Sequence, residues 1–273
     1  MRFDDNTPSK CPGRTRPPYM RRLKLLTHRR RLVASNRALG LLLAFNAGAV
    51  NAGGFLVLHM YTSHMTGFTS QLADGLVLGN ATLWLNALGA ILAFVLGAAV
   101  CAMLVNWGKQ HRLHSVYALP LMLEAALMFP FGLMGAITLT WPTPFAVPIT
   151  VLLLAFIMGL QNAVASKTSG GSIRTTHMTG NITDVGIELG KMLYWNRLEA
   201  QAQGHVRHNP ARLRQAGGLV GMFVLGGVAG ALGFKHVGFV CVVPLAALLL
   251  ALSLPPLLKD APQLLALARS GST

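Results

Sequence analysis

A pattern of residues able to bind a solute or exchange a proton occurs twice in this chain, as SHMTG at 63–67 and THMTG at 176–180. Its histidine can donate or accept a hydrogen bond and can change protonation near neutral pH. Its threonine can cap a helix N-terminus, and its glycine permits backbone turns that other residues cannot adopt. These positions are His64, Thr66 and Gly67 in the first copy and His177, Thr179 and Gly180 in the second. A helix that starts at such a break offers free N–H groups to an anion or a carbonyl.

The repeat extends beyond the two pentapeptides. AFNAGAVNA at 44–52 aligns without gaps to AFIMGLQNA at 155–163, which places Asn51 opposite Asn162. We therefore expect both asparagines, the HMTG residues and Asn181 to line one substrate-binding site. The alternative is that the histidines and threonines only satisfy the broken backbone of a structural kink.

Five charged residues in or near apolar sequence are candidates for coupling or gating, because ionisable groups are costly inside a membrane. They are Asp74, Glu124, Arg174, Asp184 and Glu188. We expect Glu124 to couple transport to proton movement. The alternative is that it is buried as a neutral acid or hydrogen-bonded to another helix. Arg174 could hold an anionic substrate, pair with Asp184 or be an ordinary loop charge. Asp184 could simply complement the dipole of a helix that starts at THMTG.

The elements that carry these residues are predicted to cross a membrane. Mean hydropathy is +0.51 and only 11% of residues are charged, against about 25% in soluble domains. Several segments approach the roughly 20 apolar residues that a transmembrane helix needs. These six are 38–58, 82–107, 116–137, 143–163, 216–234 and 237–257. Segments 67–79 and 180–194, which begin at the HMTG motifs, are shorter and more polar, so we expect re-entrant or interfacial half-helices there.

Positive charge predicts the orientation. If both termini are cytoplasmic and the half-helices do not cross, every Lys and Arg except Lys235 lies inside. If both half-helices cross, four of these cations move outside. We therefore predict an all-α, multi-pass membrane protein with both termini cytoplasmic. With three spans in each half, repeat A (38–137) and repeat B (143–258) have opposite orientations, which defines an inverted-topology repeat.

The termini lie outside this membrane domain, which covers 38–258. Much of the net charge of +15 falls in residues 1–37, and we predict there a basic, largely disordered cytoplasmic tail whose partners are anionic lipid headgroups rather than nucleic acid. Residues 259–273 are predicted to be a cytoplasmic C-terminal tail. The cysteine and histidine spacing suggests neither a metal site nor a cofactor. GxxxG spacing in 216–234 allows close helix packing, within the chain or in an oligomer.

At the repeated motifs the sequence resembles the YoaK family, bacterial membrane proteins described as a domain of unknown function. The resemblance rests on AGAVNAGGFL at 47–56, SHMTG, MGLQNA at 158–163 and RTTHMTGNITDVG at 174–186. It covers about 38–258 and implies a six-helix inner-membrane protein, without a substrate or catalytic roles. The family usually has Asp where this chain has Asn51, and Asn where it has Phe68, so the first half departs from the family pattern.

These observations favour a transporter of a small solute, with proton coupling as an option and the site at the interface of the two HMTG repeats. The alternative is a non-transporting membrane sensor or assembly protein that acts through the basic tail. An intramembrane enzyme is disfavoured, since no nucleophile elbow, HExxH or paired-acid motif occurs. We therefore expect no enzymatic activity.

Overall fold

The computed structural model describes residues 33–140, 146–194 and 206–270, so most of the predicted basic tail lies outside it. Within these ranges the chain forms eight α-helices and one short 3-10 helix, and no strand. The helices are α1 Val33–Leu58, α2 Met65–Val77, α3 Ala81–Gln110, α4 Ala118–Thr140, α5 Ala146–Ser169, α6 Met178–Leu193, α7 Pro210–Val237, the 3-10 turn Gly238–Cys241, and α8 Val242–Ser270. The expected all-α class is confirmed.

Several helices are long and apolar enough to cross a membrane, so the protein is a polytopic helical membrane protein. The qualifying stretches are Arg37–Leu56, Ala81–Gln110, Ala118–Ile137, Ile149–Ser169 and Pro210–Leu264. The last is 55 residues long and includes both α7 and most of α8. The two HMTG segments form separate helices of 13 and 16 residues. At 1.5 Å per residue they reach about 20 and 24 Å, less than the roughly 30 Å hydrocarbon core.

Two helix ends differ from the prediction for local reasons. Helix α7 begins at Pro210 rather than 216, because the Asn209 side chain caps it by accepting from the backbone N–H groups of Ala211 and Arg212. Helix α8 continues through 259–270, where we predicted a tail. Asp260 is 3% exposed, and its carboxylate accepts from the backbone N–H and the hydroxyl of Ser115 at 2.9 and 2.5 Å. This segment is therefore fixed to the α3–α4 connection.

The main contacts between the two halves of the chain are close helix crossings. Helix α1 packs chiefly on α7, and α3 on α5. In the first crossing, a Cβ on Gly48 would collide with the carbonyl oxygen of Phe223, and a Cβ on Gly226 would collide with that of Phe45. Each glycine thus lets the partner backbone approach to van der Waals contact.

The second crossing repeats this geometry. A Cβ on Gly97 would meet the carbonyl oxygen of Phe156, and one on Gly159 would meet that of Phe94. In all four helices the phenylalanine stands three residues before the glycine, and FVLG occurs identically at 94–97 and 223–226. The internal repeat therefore includes the helix crossings as well as the HMTG segments.

Helix α6 is held against α7 by its two acidic residues. Glu188 is fully buried; its carboxylate accepts from the backbone N–H of Asn209 at 2.6 Å and from Lys191 Nζ at 2.8 Å. Asp184 accepts from Arg212 Nη2 at 2.9 Å. The Asn209 N–H, followed by Lys191, lowers the pKa of the Glu188 carboxyl. Both acids therefore stabilise the packing of the second half-helix.

The glycine crossings predict unequal effects of alanine at two positions of the same helix. Gly226→Ala places a methyl group against the Phe45 carbonyl and should destabilise the protein by about 2 kcal/mol. Gly221→Ala meets no atom within 4 Å and should be neutral or stabilising by up to about 1 kcal/mol, because alanine favours helix. The thermal unfolding midpoint in detergent measures both, and equal midpoints would contradict the role of the crossing.

Glu188 predicts a pH dependence of stability. Because its pKa is lowered in the folded state, its stabilising contribution is fully present above the unfolded value near 4.5 and is lost as pH falls through the folded value. Glu188→Gln should lower the unfolding midpoint at pH 7 and reduce its fall toward pH 4. Asp74→Asn is the matched control, since Asp74 is exposed and makes no ion pair among the described residues. A control with the same loss would contradict this assignment.

Candidate functional site

The two HMTG segments begin their half-helices in the same way. His64 and His177 are the N-cap residues of α2 and α6, and neither side chain makes a capping hydrogen bond. The prediction that Thr66 and Thr179 cap these helices is wrong, because both threonines lie inside the first turn. All four of these side chains are exposed, so their polar groups are available to a solute.

The glycines of the motif give space to the histidine rings. Gly67 and Gly180 have no positive φ, so the predicted special turn is wrong. A Cβ on Gly67 would lie 2.7 Å from His64 Nδ1, and one on Gly180 would collide with the His177 ring. Each imidazole therefore lies over the first turn of its helix, where any larger residue would displace it.

The matched asparagines hold the residues that precede each histidine. Ser63 Oγ donates to Asn51 Oδ1 at 3.0 Å. In the second half, Asn162 Oδ1 accepts from Thr175 Oγ1 and from the Thr176 N–H, both at 3.3 Å, and Asn162 Nδ2 donates to Thr176 Oγ1. One amide thus fixes each loop, with more hydrogen bonds in the second half than in the first.

These hydrogen bonds show the path of the chain between the helices. Asn51 and Asn162 each stand seven residues before the last residue of their helix, which is about 10 Å back along the helix at 1.5 Å per residue. The chain therefore leaves α1 or α5, turns and runs back alongside it before the half-helix begins. Asn162 satisfies one backbone N–H of this non-helical stretch, that of Thr176, whereas Asn51 contacts only the Ser63 hydroxyl.

The start of each half-helix contributes to a shared cavity of about 490 Å³ between the two halves. Candidate residues on its wall are His64, Thr66, Asn162, Arg174, His177 and Thr179. A second cavity of about 610 Å³ lies on the other side of the motifs and shares His64 and Thr176 with the first. It contains Asn51, and its remaining wall comes mainly from apolar side chains of α1 and α7 such as Phe55 and Val224.

A third cavity of about 590 Å³ lies on the α6 side and is more polar. Gly180, Asn181, Asp184 and Arg212 line it, and Arg174 and His177 line both this cavity and the shared one. Every predicted second-half residue except Glu188 therefore lines one of two cavities, which share Arg174 and His177.

The other candidates lie away from these cavities. Glu124 is fully buried in α4, where Asn46 Nδ2 donates to its Oε1 at 3.4 Å and the Gln161 side chain of α5 lies against its carboxyl. Gln161 is also fully buried. Sequence analysis missed Asn46 and Gln161, although both are polar residues in apolar helices. Asp74 is exposed, and Glu188 lines none of the three cavities.

No group of His, Cys, Asp and Glu within the described residues could hold a metal ion. The shared cavity offers hydrogen-bonding groups: two imidazoles, six hydroxyl or amide groups and one guanidinium. Such a set can bind and orient a polar solute.

Comparison with known proteins identifies relatives but no substrate. The chain is 28% identical over 159 residues to UPF0700 transmembrane protein YoaK of Bacillus subtilis (strain 168), which covers 57% of this chain and 68% of that protein. No solved structure gives a significant match. A family model described as "Protein of unknown function (DUF1275)" matches residues 39–254, most of the chain. The protein therefore belongs to the DUF1275 family of membrane proteins, as its resemblance to the YoaK family indicated.

Proposed function

We propose that this protein transports a small polar solute across the membrane, with its binding site between the two HMTG segments. The observation that carries the proposal is the shared cavity, which both half-helices line at their N-terminal ends. Its volume of about 490 Å³ falls within the range of about 300–1,000 Å³ typical of small-molecule sites. Broken helices at a repeat interface are a common location for transporter sites.

The proposal includes six membrane-spanning helices arranged as two inverted repeats. Its support is the equivalence of contacts: α1 of the first half packs on α7 of the second, and α5 of the second packs on α3 of the first. The Phe-Gly crossings and the asparagine-held loops repeat in the same pairs. In inverted halves, the two re-entrant loops approach the cavity from opposite faces and serve as opposing gates.

The gates differ in the hydrogen bonds that close them. Asn51 holds its loop through the Ser63 hydroxyl, whereas Asn162 contacts both Thr175 and Thr176. A neutral hydrogen bond contributes about 1 kcal/mol net, so the first-half gate opens at lower cost. Alternating access then consists of releasing one loop while the other stays closed.

Proton coupling is assigned to Glu124 within this proposal. Its hydrogen-bond partner Asn46 lies on α1, five residues before the gate residue Asn51. A change in protonation would alter the contact between α4 and α1 and so act on the gate through a rigid helix. The acid influences the cavity through α1, because it lines none of the three cavities itself.

The two cavity histidines predict a loss of binding without loss of fold. A thermal-shift screen of the purified protein against a metabolite panel at pH 5–8 should identify a solute that stabilises the wild type. His177→Ala and His64→Ala should each weaken the apparent affinity for that solute by about tenfold or more, and so reduce the thermal shift. His236→Ala is the matched control, since His236 is also exposed but lies at the end of α7, outside these cavities.

Uptake of the same solute into proteoliposomes then tests transport. Uptake that His177→Ala abolishes and His236→Ala preserves supports the proposal. Binding without uptake would favour a sensor, and unchanged binding by both cavity variants would place the site elsewhere.

The inverted arrangement predicts opposite accessibility for the ends of the half-helices. Leu78 follows α2 and is 73% exposed, and Tyr194 follows α6 and is 60% exposed. In a Cys11→Ser, Cys241→Ser background, a membrane-impermeant maleimide should label Leu78→Cys in intact spheroplasts. It should label Tyr194→Cys only after permeabilisation. Labelling of both from the same side would contradict inverted repeats.

A further inference from the structure

The polar cavity beside α6 carries an excess of positive charge. Its two guanidinium groups belong to Arg174 and Arg212, and its carboxylate belongs to Asp184. Arg212 Nη2 lies 2.9 Å from Asp184 Oδ1, so these charges compensate each other. Arg174 makes no ion pair with any acid in the part of the chain that the structure describes. One full positive charge therefore faces the cavity.

The backbone that presents Arg174 is fixed at two points. Asn181 Nδ2 donates to the Arg174 carbonyl at 3.4 Å, and Gln215 Nε2 donates to the Ser172 carbonyl at 3.0 Å. The loop between α5 and α6 is thus bonded to both α6 and α7, while the guanidinium keeps its donors free. A positioned, unpaired guanidinium is suited to oxyanions, because its planar fork can bind two oxygens at once.

Arg174 also lies where the polar cavity beside α6 meets the shared cavity, since it and His177 line both. A solute that moves from one cavity to the other on this side passes these two side chains. Asn162 and Thr179 line only the shared cavity. A cation and an imidazole therefore lie at the junction of the two cavities, and these neutral hydrogen-bonding groups lie on the shared side.

The equivalent position beside the first HMTG motif lacks this charge. A smaller cavity of about 250 Å³ lies against His64 and Gly67, as the polar cavity lies against His177 and Gly180. Tyr61 takes the position of Arg174, three residues before the histidine. Its ring stacks on Phe55 with centroids 4.7 Å apart. Since no Lys, Arg, Asp or Glu lines this smaller cavity, the repeated fold itself does not require a cation there.

We propose that the solute is a small polyatomic anion, with a carboxylate, phosphate or sulfate group, which Arg174 selects at the mouth of the second-half gate. This inference rests on the proposed function, because the HMTG cavity would be the destination of the anion. The same charge could instead hold the phosphate of a lipid headgroup. The two sources share one chemistry and are separated by the experiment below.

Binding is measured on the full-length protein in a non-ionic detergent at constant ionic strength. The probes are sodium phosphate, sulfate and succinate, with glucose and choline chloride as neutral and cationic comparisons. At least one of the three anions should raise the unfolding midpoint of the wild type. Arg174→Gln should weaken that anion's affinity by about tenfold or more, and Arg174→Lys should weaken it less, because lysine keeps the charge but not the fork.

Lys109→Gln is the matched control: it removes an exposed cation at the end of α3 that lines none of these cavities. It should leave anion affinity unchanged. Equal loss in both variants would mean nonspecific screening and overturn the proposal. No stabilisation by any of the three anions, or stabilisation only by phosphatidylglycerol in nanodiscs, would also overturn it.

The outcomes separate this inference from the proposed function. A neutral solute whose binding needs His177 but not Arg174 would leave the transport site in place and remove the anion class. Anion binding that needs Arg174 without uptake into liposomes would keep the anion site and contradict transport.

Discussion

The fold depends on four contacts between a glycine and a phenylalanine, at each of which the glycine lets the backbone of another helix approach its own. In each, the glycine hydrogen faces a carbonyl oxygen of a phenylalanine on the crossing helix. Lipid tails provide little hydrophobic force for helix association, so close packing and weak C–H···O contacts supply much of the binding between membrane helices. The crossings join α1 to α7 and α3 to α5. One helix of each half therefore has its main packing partner in the other half.

The site follows from these crossings. In α1 and α5 the crossing glycine lies three residues before the asparagine that holds the loop leading to the HMTG helix. Fixing the glycine against a partner backbone therefore also fixes the depth of the asparagine, and with it the start of the half-helix. Because both crossings use the same spacing, the two HMTG segments reach one cavity. Packing and site geometry are parts of one repeated unit.

Much of this could be predicted from sequence, because the informative signals are local. The long helices follow from hydropathy. The duplication of HMTG identified His64, Thr66, His177 and Thr179, which line one cavity, whereas Asn51 and Asn162 line different cavities. The capping role of Thr66 failed for a physical reason: His64 already occupies the N-cap, and its ring needs the space that Gly67 leaves. The repeat of FVLG is present in the sequence, but its role as a helix contact can be assigned only when it is known which helices pack together.

Long-range polar contacts were the least predictable feature. Asp260 looked like part of a tail, yet it bonds to Ser115 on a distant connection. Glu124 was identifiable as a buried acid, whereas its partner Asn46 depends on how α4 faces α1. The rotation of each helix about its own axis determines which polar side chains meet. A single sequence carries little information about rotation when the apolar surface extends around most of each helix.

The crossing pattern has a consequence for the biogenesis of the protein. Helix α1 is synthesised first, but its main partner α7 begins at Pro210. At about 5–20 residues per second, the ribosome needs on the order of ten seconds or more to deliver that partner. Throughout this interval the glycine face of α1 must rest against lipid or against an insertion factor. The α1–α7 crossing therefore forms only after α7 has been made, and truncation within α7 would leave α1 without its main packing partner.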